Sequence, residues 1–181
     1  MTARPAAKTP RRRTTAPRGV GDLLAHIDGG ARGNPGPAGY GVWIGRAGGG
    51  PKGGPIAELY GYLGIATNNT AEYAALLALL EHVGPMRPAS LTIRSDSELL
   101  IKQMRGEYRV KDPKLLILHA AARRMLMGLP RVSLEHVPRE KNREADALAN
   151  RAMDLRDSSG ALPAALRSLP AATAQPKLPS L

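Results

Sequence analysis

Four acidic side chains, Asp28, Glu72, Asp96 and Asp146, fall where predicted strands end or predicted helices begin. Carboxylates gathered at element ends are suited to hard divalent cations, which prefer oxygen donors and keep waters that substrate oxygens can replace. The chain has no cysteine, which excludes disulfide scaffolds, thiol nucleophiles and thiolate metal sites; a metal would have to be held by carboxylate or imidazole groups. Four converging carboxylates would raise one another's pKa unless a cation lay among them. A pair of such ions about 3.5–4 Å apart can activate a water and stabilise the leaving oxygen of an in-line displacement at phosphorus. Metal-assisted hydrolysis of a phosphodiester is therefore the chemistry these residue types would support. Taken singly, each acid also has a local explanation. Glu72 would complete a capping box, Asp146 would offset a helix dipole, and Asp28 before Gly29-Gly30 would serve a turn.

The elements that must position these acids read as an α/β or α+β pattern, strands first and then helices alternating with strands. Residues 23–28 form a short apolar run ending at Gly29-Gly30, and Gly33-Asn34-Pro35-Gly36-Pro37 is a strong turn signal. Residues 39–46 and 56–65 read as two further strands, so the first three are expected to form an antiparallel meander. Asn69 is expected to cap a helix with Glu72 at its third position, carried by apolar residues to Gly84-Pro85. Residues 91–94 form a strand, Ser97 caps a helix to about Met104, and Pro113 opens a helix that stops at Gly128. Residues 131–137 are the last strand, and Asn142 caps a helix striped by Ala145, Leu148, Ala149, Ala152 and Met153. If the first and fourth strands are parallel neighbours, Asp28 and Asp96 reach the same crevice at their carboxyl ends, on one face of the sheet.

The chain has 181 residues, room for one domain with tails. Its formal charge is +11, from 26 basic and 15 acidic residues, which points to a polyanionic partner, nucleic acid or an anionic membrane surface. No apolar run approaches the roughly 20 residues of a membrane helix, and residues 1–20 lack the apolar stretch of a signal peptide; a cytoplasmic monomer is expected. Residues 1–20 carry six basic residues and no acid, with Pro5, Pro10 and Pro17, and are expected to be a disordered basic arm. Residues 158–181, with four prolines among Ala, Ser and Leu, read as a flexible tail. The folded catalytic unit is then placed at residues 21–157, where 18 basic residues nearly balance the 15 acids.

The segments around the acids carry a resemblance. Ile27-Asp28-Gly29-Gly30 through Gly33-Asn34-Pro35-Gly36 to Gly39-Tyr40-Gly41, then Thr67-Asn68-Asn69-Thr70-Ala71-Glu72, Ser95-Asp96-Ser97 and Asn142-Arg143-Glu144-Ala145-Asp146-Ala147-Leu148-Ala149, resemble in order the four motifs of type 1 ribonuclease H. The resemblance covers about residues 22–155. It implies a ribonuclease H-like α/β fold, a five-stranded mixed sheet of three antiparallel strands then two parallel ones, with helices on both faces. It also implies endonucleolytic hydrolysis of the RNA strand of an RNA/DNA hybrid, with double-stranded RNA as a second candidate partner and no membrane. Asp28, Glu72, Asp96 and Asp146 match the family's metal-binding catalytic acids, holding two Mg²⁺ (or Mn²⁺) ions with substrate. Asn34, Asn68 and Asn69 match residues that contact the hybrid through the minor groove, and Thr67 begins the same segment.

Two departures from the family pattern stand out. Residues 103–113 run almost directly into the next helix, so the basic helix-and-loop handle of many members is missing, and Arg105, Arg109, Lys111 or Arg11-Arg12-Arg13 are candidates to replace its affinity. The family's mobile histidine has no clear counterpart: His136 precedes a short loop, and Arg139 on that loop is the better-placed auxiliary residue. His26, His82 and His119 show no metal-ligand spacing. Two competing readings remain, a non-catalytic module binding hybrid or double-stranded RNA, and a nuclease of the same fold acting on another duplex, as transposase and integrase cores do.

Overall fold

Leu23-Leu24-Ala25-His26-Ile27 is a mainly apolar run without an acid, lysine or arginine and without polar alternation, which suits the middle of a sheet covered on both faces. In the computed structural model, which describes residues 19–49 and 53–169, they lie in β1 (Asp22–Ala31), the centre of a five-stranded sheet. β2 (Gly36–Arg46) pairs antiparallel with β1, and β3 (Ala57–Ala66) pairs antiparallel with β2. β4 (Ser90–Ser95) lies parallel to β1, and β5 (Val132–His136) parallel to β4, giving the order β3-β2-β1-β4-β5. The expected mixed sheet, with its switch from antiparallel to parallel pairing, is the one observed.

Helices cover both faces. α1 (Asn68–Val83) packs on the face of Leu23, Ala25, Ile27, Tyr40, Val42 and Ile44, and α3 (Pro113–Met127) packs over α1. Trapped between sheet and helix, α1 buries Tyr73 through Leu80 without a polar face, as an interior helix must. The short α2 (Glu98–Met104) leads from β4 toward α3. α4 (Arg143–Leu155) lies on the opposite face with Ala145, Leu148, Ala149, Ala152 and Met153 inward. Gly41 makes that approach possible, because a Cβ there would run into the carbonyl of Ala145 and the amide of Ala149.

Several boundaries differ from the sequence expectations. β1 does not end at Asp28 but continues through Gly29-Gly30 to Ala31, because its partner β2 stays in register from Leu23↔Arg46 to Ala31↔Ala38. Its pairing with β4, by contrast, stops at Ile27↔Ser95. α1 is capped by Thr67, whose Oγ1 accepts from the Thr70 amide at 3.2 Å, so Asn69 is inside the helix and Glu72 is its fifth residue. The side chain of Asn142 makes no capping bond to α4.

The segment from residue 158 is not free up to Leu169. The Ser158 and Ser159 hydroxyls accept from the Tyr62 and Tyr60 amides of the edge strand β3, each at 3.0 Å. The chain then forms α5 (Ala164–Arg167), whose first amide donates to Glu81 Oε1 at 2.8 Å, while Leu162, Ala165, Leu166 and Leu169 rest on the core. At the other end Val20 packs against the core and its amide donates to Met86 O. The expected limits at residues 20 and 158 thus fall inside packed chain. The rest of the basic arm, residues 1–18, and residues 170–181 lie outside the described residues. Among the described residues, no helix is long and apolar enough to cross a membrane.

Candidate active site

The sheet splits at Asp28. One residue earlier β1 is still bonded to β4; from Asp28 onward it is bonded only to β2, and the gap between β1 and β4 opens into a cleft. Asp96 leaves the end of β4 at the far side of the same opening, on the same face of the sheet. Gly29 brings the third acid in. A Cβ at this position would collide with the Ala71 carbonyl and the Glu72 amide, so its absence lets α1 lie directly against β1 and sets Glu72 beside Asp28. α4 contributes Asp146 from its first turn. All four acids line one cleft of about 280 Å³, with Asn68, Ser97, Arg139 and Asn150 among its walls.

Three of the acids are gripped by neighbouring donors. Glu72 accepts from Asn68 Nδ2 at 3.0 Å and from Ser97 Oγ at 2.5 Å. Asp96 accepts from Asn142 Nδ2 at 2.9 Å. Asp146 accepts from the Arg139 guanidinium at 2.8 Å and from Asn150 Nδ2 at 3.2 Å. Burial, followed by the charges of Asp96 and Asp146, pushes the Asp28 carboxyl up to about 7, against a small opposing pull from the Gly29 amide. Glu72 is pushed up to about 7, again by burial first; the Ser97 and Asn68 bonds oppose the shift and Asp96 adds to it. The ion pair with Asp146 raises Arg139 above the ordinary arginine value.

Asp28 and Glu72 therefore stay partly protonated near neutrality until positive charge arrives. Among the described residues no three acid or imidazole side chains already stand as a closed metal cage, since three of the four acids are turned toward amide, hydroxyl or guanidinium donors. The donor set nonetheless fits a hard divalent cation. It is all oxygen, it is held in one solvent-open cleft, and its most buried carboxyls are those whose ionisation a cation would favour.

The remaining predicted residues divide. Asn68 lines the cleft, and Asn34 accepts from the Asn68 amide at 3.2 Å, joining the β1–β2 turn to the start of α1. Thr67 is engaged as the helix cap, and Asn69 is half-buried one turn-residue on, outside the cleft lining. Arg139 lies on the cleft wall, whereas His136 is exposed at the end of β5 and lies outside it. His26 is buried, and burial lowers its pKa, so it is neutral; Nδ1 lies 3.3 Å from Asn142 Oδ1. His119 packs edge-on against Tyr73, and His82 is exposed. No helix separates α2 from α3, and in the connecting loop Arg105 donates to Leu134 O, while Arg109 and Lys111 are exposed.

Sequence reasoning missed Ser97, Asn142 and Asn150 as partners of the acids. Asn150 follows Asp146 by one helical turn, a spacing that could have disclosed it. Ser97 was readable as a cap of α2, which it is, but its bond to Glu72 joins two distant helices.

A family described as reverse transcriptase-like matches residues 27–152. Ribonuclease HI of Halobacterium salinarum is 44% identical over 134 residues, covering 74% of this chain and 65% of that protein. Bifunctional protein Rv2228c of Mycobacterium tuberculosis is 40% identical over 139 residues, which is 77% of this chain and 37% of that one. The N-terminal RNase H domain of Rv2228c, solved as a fusion with maltose binding protein, matches with a TM-score of 0.69, over 74% of this chain and 94% of that one. LC11-RNase H1, solved in complex with RNA/DNA hybrid, is 41% identical with a TM-score of 0.68, over 75% of this chain and 99% of that one.

Proposed function

The chain belongs to the type 1 ribonuclease H family, and from that membership and the cleft we propose that it is an endonuclease hydrolysing the RNA strand of RNA/DNA hybrids. The observation that carries this reading is the meeting of Asp28, Glu72, Asp96 and Asp146 in one cleft at the point where β1 and β4 part. These four residues would hold Mg²⁺, or Mn²⁺, with two ions bound alongside substrate. A metal held there would supply the Lewis acidity needed to activate a water and to neutralise charge on a leaving oxygen.

The protein's own groups do the positioning. Asn142 and Ser97 donate to Asp96 and Glu72 and so restrict the rotation of these two carboxylates. Arg139, mostly exposed beside Asp146, is the auxiliary cation placed to approach a scissile phosphate. Asn34 and Asn68, already in contact with each other, present short amides that can both donate to and accept from 2′-hydroxyls and base edges. Thr67 and Asn69 would complete this minor-groove segment at the start of α1. The catalytic unit then comprises residues 21–157 together with the packed extension to Leu169, and the arm at residues 1–18 adds sequence-independent affinity for the phosphate backbone.

Cleavage of matched, labelled RNA/DNA, RNA/RNA and DNA/DNA duplexes with Mg²⁺ or Mn²⁺ tests the reading. Hybrid should be cut in its RNA strand and DNA duplex left intact. Asp28→Asn and Asp96→Asn should each abolish cleavage with an unchanged circular dichroism spectrum. Binding of hybrid without cleavage by the wild type would make the chain a recognition module, and wild-type activity in either variant would refute the site.

A further inference from the structure

Asn142 is the only asparagine among the described residues that is wholly removed from solvent, and it stands at the junction of three elements. It precedes α4, where its side chain would ordinarily cap the helix, yet it makes no capping bond. Instead Nδ2 donates to Ile27 O of β1 at 2.9 Å and to Asp96 Oδ1 at 2.9 Å. Oδ1 lies 3.3 Å from His26 Nδ1. The orientation of the amide is fixed by its partners: reversed, its oxygen would face a carbonyl and a carboxylate. His26 Nδ1 is consequently the donor, and the ring is braced in turn by Trp43, edge-on at 5.8 Å between centroids.

The place of these bonds explains their use. The ladder between β1 and β4 ends at Ile27↔Ser95, and the Asn142 amide bridges the two strands where they part. Ile27 O belongs to the peptide that leads into Asp28. The main-chain oxygen of Asn142 accepts from the Asp146 amide at 3.1 Å, in the first turn of α4. One buried residue therefore touches the Asp28 peptide, the Asp96 carboxylate and the Asp146 backbone.

We propose that Asn142 is a positioning residue whose side chain sets Asp28 and Asp96 relative to one another for a divalent cation, at the point where its main chain opens the helical turn that carries Asp146. It touches neither substrate nor the reacting atoms. Glu72 is held independently by Asn68 and Ser97. The inference rests on the metal-dependent reading given above, but its readout is metal binding without nucleic acid.

The experiment is a calorimetric titration of the full chain with Mg²⁺ alone, comparing wild type, Asn142→Ala and a stability control, Leu118→Ala, whose side chain is buried among the α1 and α3 residues of the other layer. Loss of a residue that orients metal ligands typically weakens metal affinity 10–100-fold. Asn142→Ala should weaken Mg²⁺ binding by at least tenfold and lower kcat on hybrid with KM within about twofold, whereas Leu118→Ala should lower the melting temperature and leave Mg²⁺ affinity unchanged. Equal Mg²⁺ affinity in wild type and Asn142→Ala overturns the inference and leaves the proposed activity standing; a wild type that binds no Mg²⁺ overturns both. If Asn142→Ala does not fold, NMR of the wild type decides. The Asn142 side-chain amide protons should exchange slowly with solvent and shift on addition of Mg²⁺, and fast exchange or no shift refutes the proposal.

Discussion

Replacing Asp28 with Asn should make the metal-free protein more stable at pH 8, even as it destroys the proposed site. The native carboxyl sits at about 7, against 3.8 for an ordinary aspartate, because it is buried and faces Asp96, Asp146 and Glu72. The folded chain therefore keeps a proton that the unfolded chain has released. The stability contributed by that neutral acid is complete below about pH 4 and is lost as pH rises through 7. About three pH units at 1.36 kcal/mol each set a ceiling near 4 kcal/mol. The acids titrate as an interacting group, so one substitution recovers part of this, roughly 2 kcal/mol. For a chain of this size that is a rise of roughly 4–8 °C in melting temperature. Melts followed by circular dichroism in EDTA, at intervals from pH 4 to 8, should show the difference shrinking toward zero at the acid end. Mg²⁺ should raise the melting temperature of the wild type and do less for Asp28→Asn. A variant that melts at or below wild type at pH 8 in EDTA, or a difference independent of pH, would refute the electrostatic account of the cleft.

Three further outcomes follow from the same structure. Ending the chain at Asp157 removes Leu162, Ala165, Leu166 and Leu169 from the core and should cost about 3 kcal/mol, a fall of roughly 6–12 °C in thermal denaturation; ending it at Leu169 should move the midpoint by no more than about 2 °C. Gly29→Ala places a methyl group against the Ala71–Glu72 backbone and should destabilise by roughly 1–3 kcal/mol in urea titrations while lowering cleavage, because α1 and Glu72 are displaced together. Deleting residues 1–18, which carry six basic side chains, should weaken hybrid binding and flatten its dependence on salt, each lost phosphate contact reducing the log–log slope by about 0.7–0.9. An unchanged slope in fluorescence anisotropy would show that the arm makes no phosphate contacts.

The elements were legible because each announces itself within a few residues: the Gly84-Pro85 stop of α1, Pro113 and Gly128 around α3, the stripe of Ala145, Leu148, Ala149, Ala152 and Met153. The four acids were legible from the short segments around them, although Asp28 lies within β1 and Glu72 in the second turn of α1 rather than at the element ends expected. The misreadings have local causes too. Gly29-Gly30 reads as a turn but is strand, because β2 remains bonded to it and a packed helix forbids a side chain at Gly29. Thr67-Asn68-Asn69-Thr70 offers several capping side chains in a row, and the bond to the Thr70 amide selects Thr67. The prolines of the C-terminal segment obscured Leu162, Leu166 and Leu169, whose spacing is that of a helical face. What local pattern could not disclose was Asn142, whose partners His26 and Ile27 are 116 and 115 residues away.

The character of the donors around the acids also separates the two signs of charge. Glu72 and Asp96 are held by amides and a hydroxyl, neutral groups that fix a carboxylate without cancelling its charge. Lysine or arginine in those places would have made the metal-free fold more stable and left less negative potential for a cation. Two arginines line the cleft: Arg32 is paired with Asp154, and Arg139 pairs with Asp146 at the solvent-facing edge, where an exposed ion pair holds weakly and the guanidinium is free to turn to a phosphate. Positive charge for the nucleic acid backbone then has to be carried elsewhere, and it is: six basic residues precede the first strand, and Arg109 and Lys111 stand exposed on the loop between α2 and α3. Under the proposed function, the acids of the cleft would keep their negative charge for metal while the phosphate backbone is met mainly by basic residues outside it.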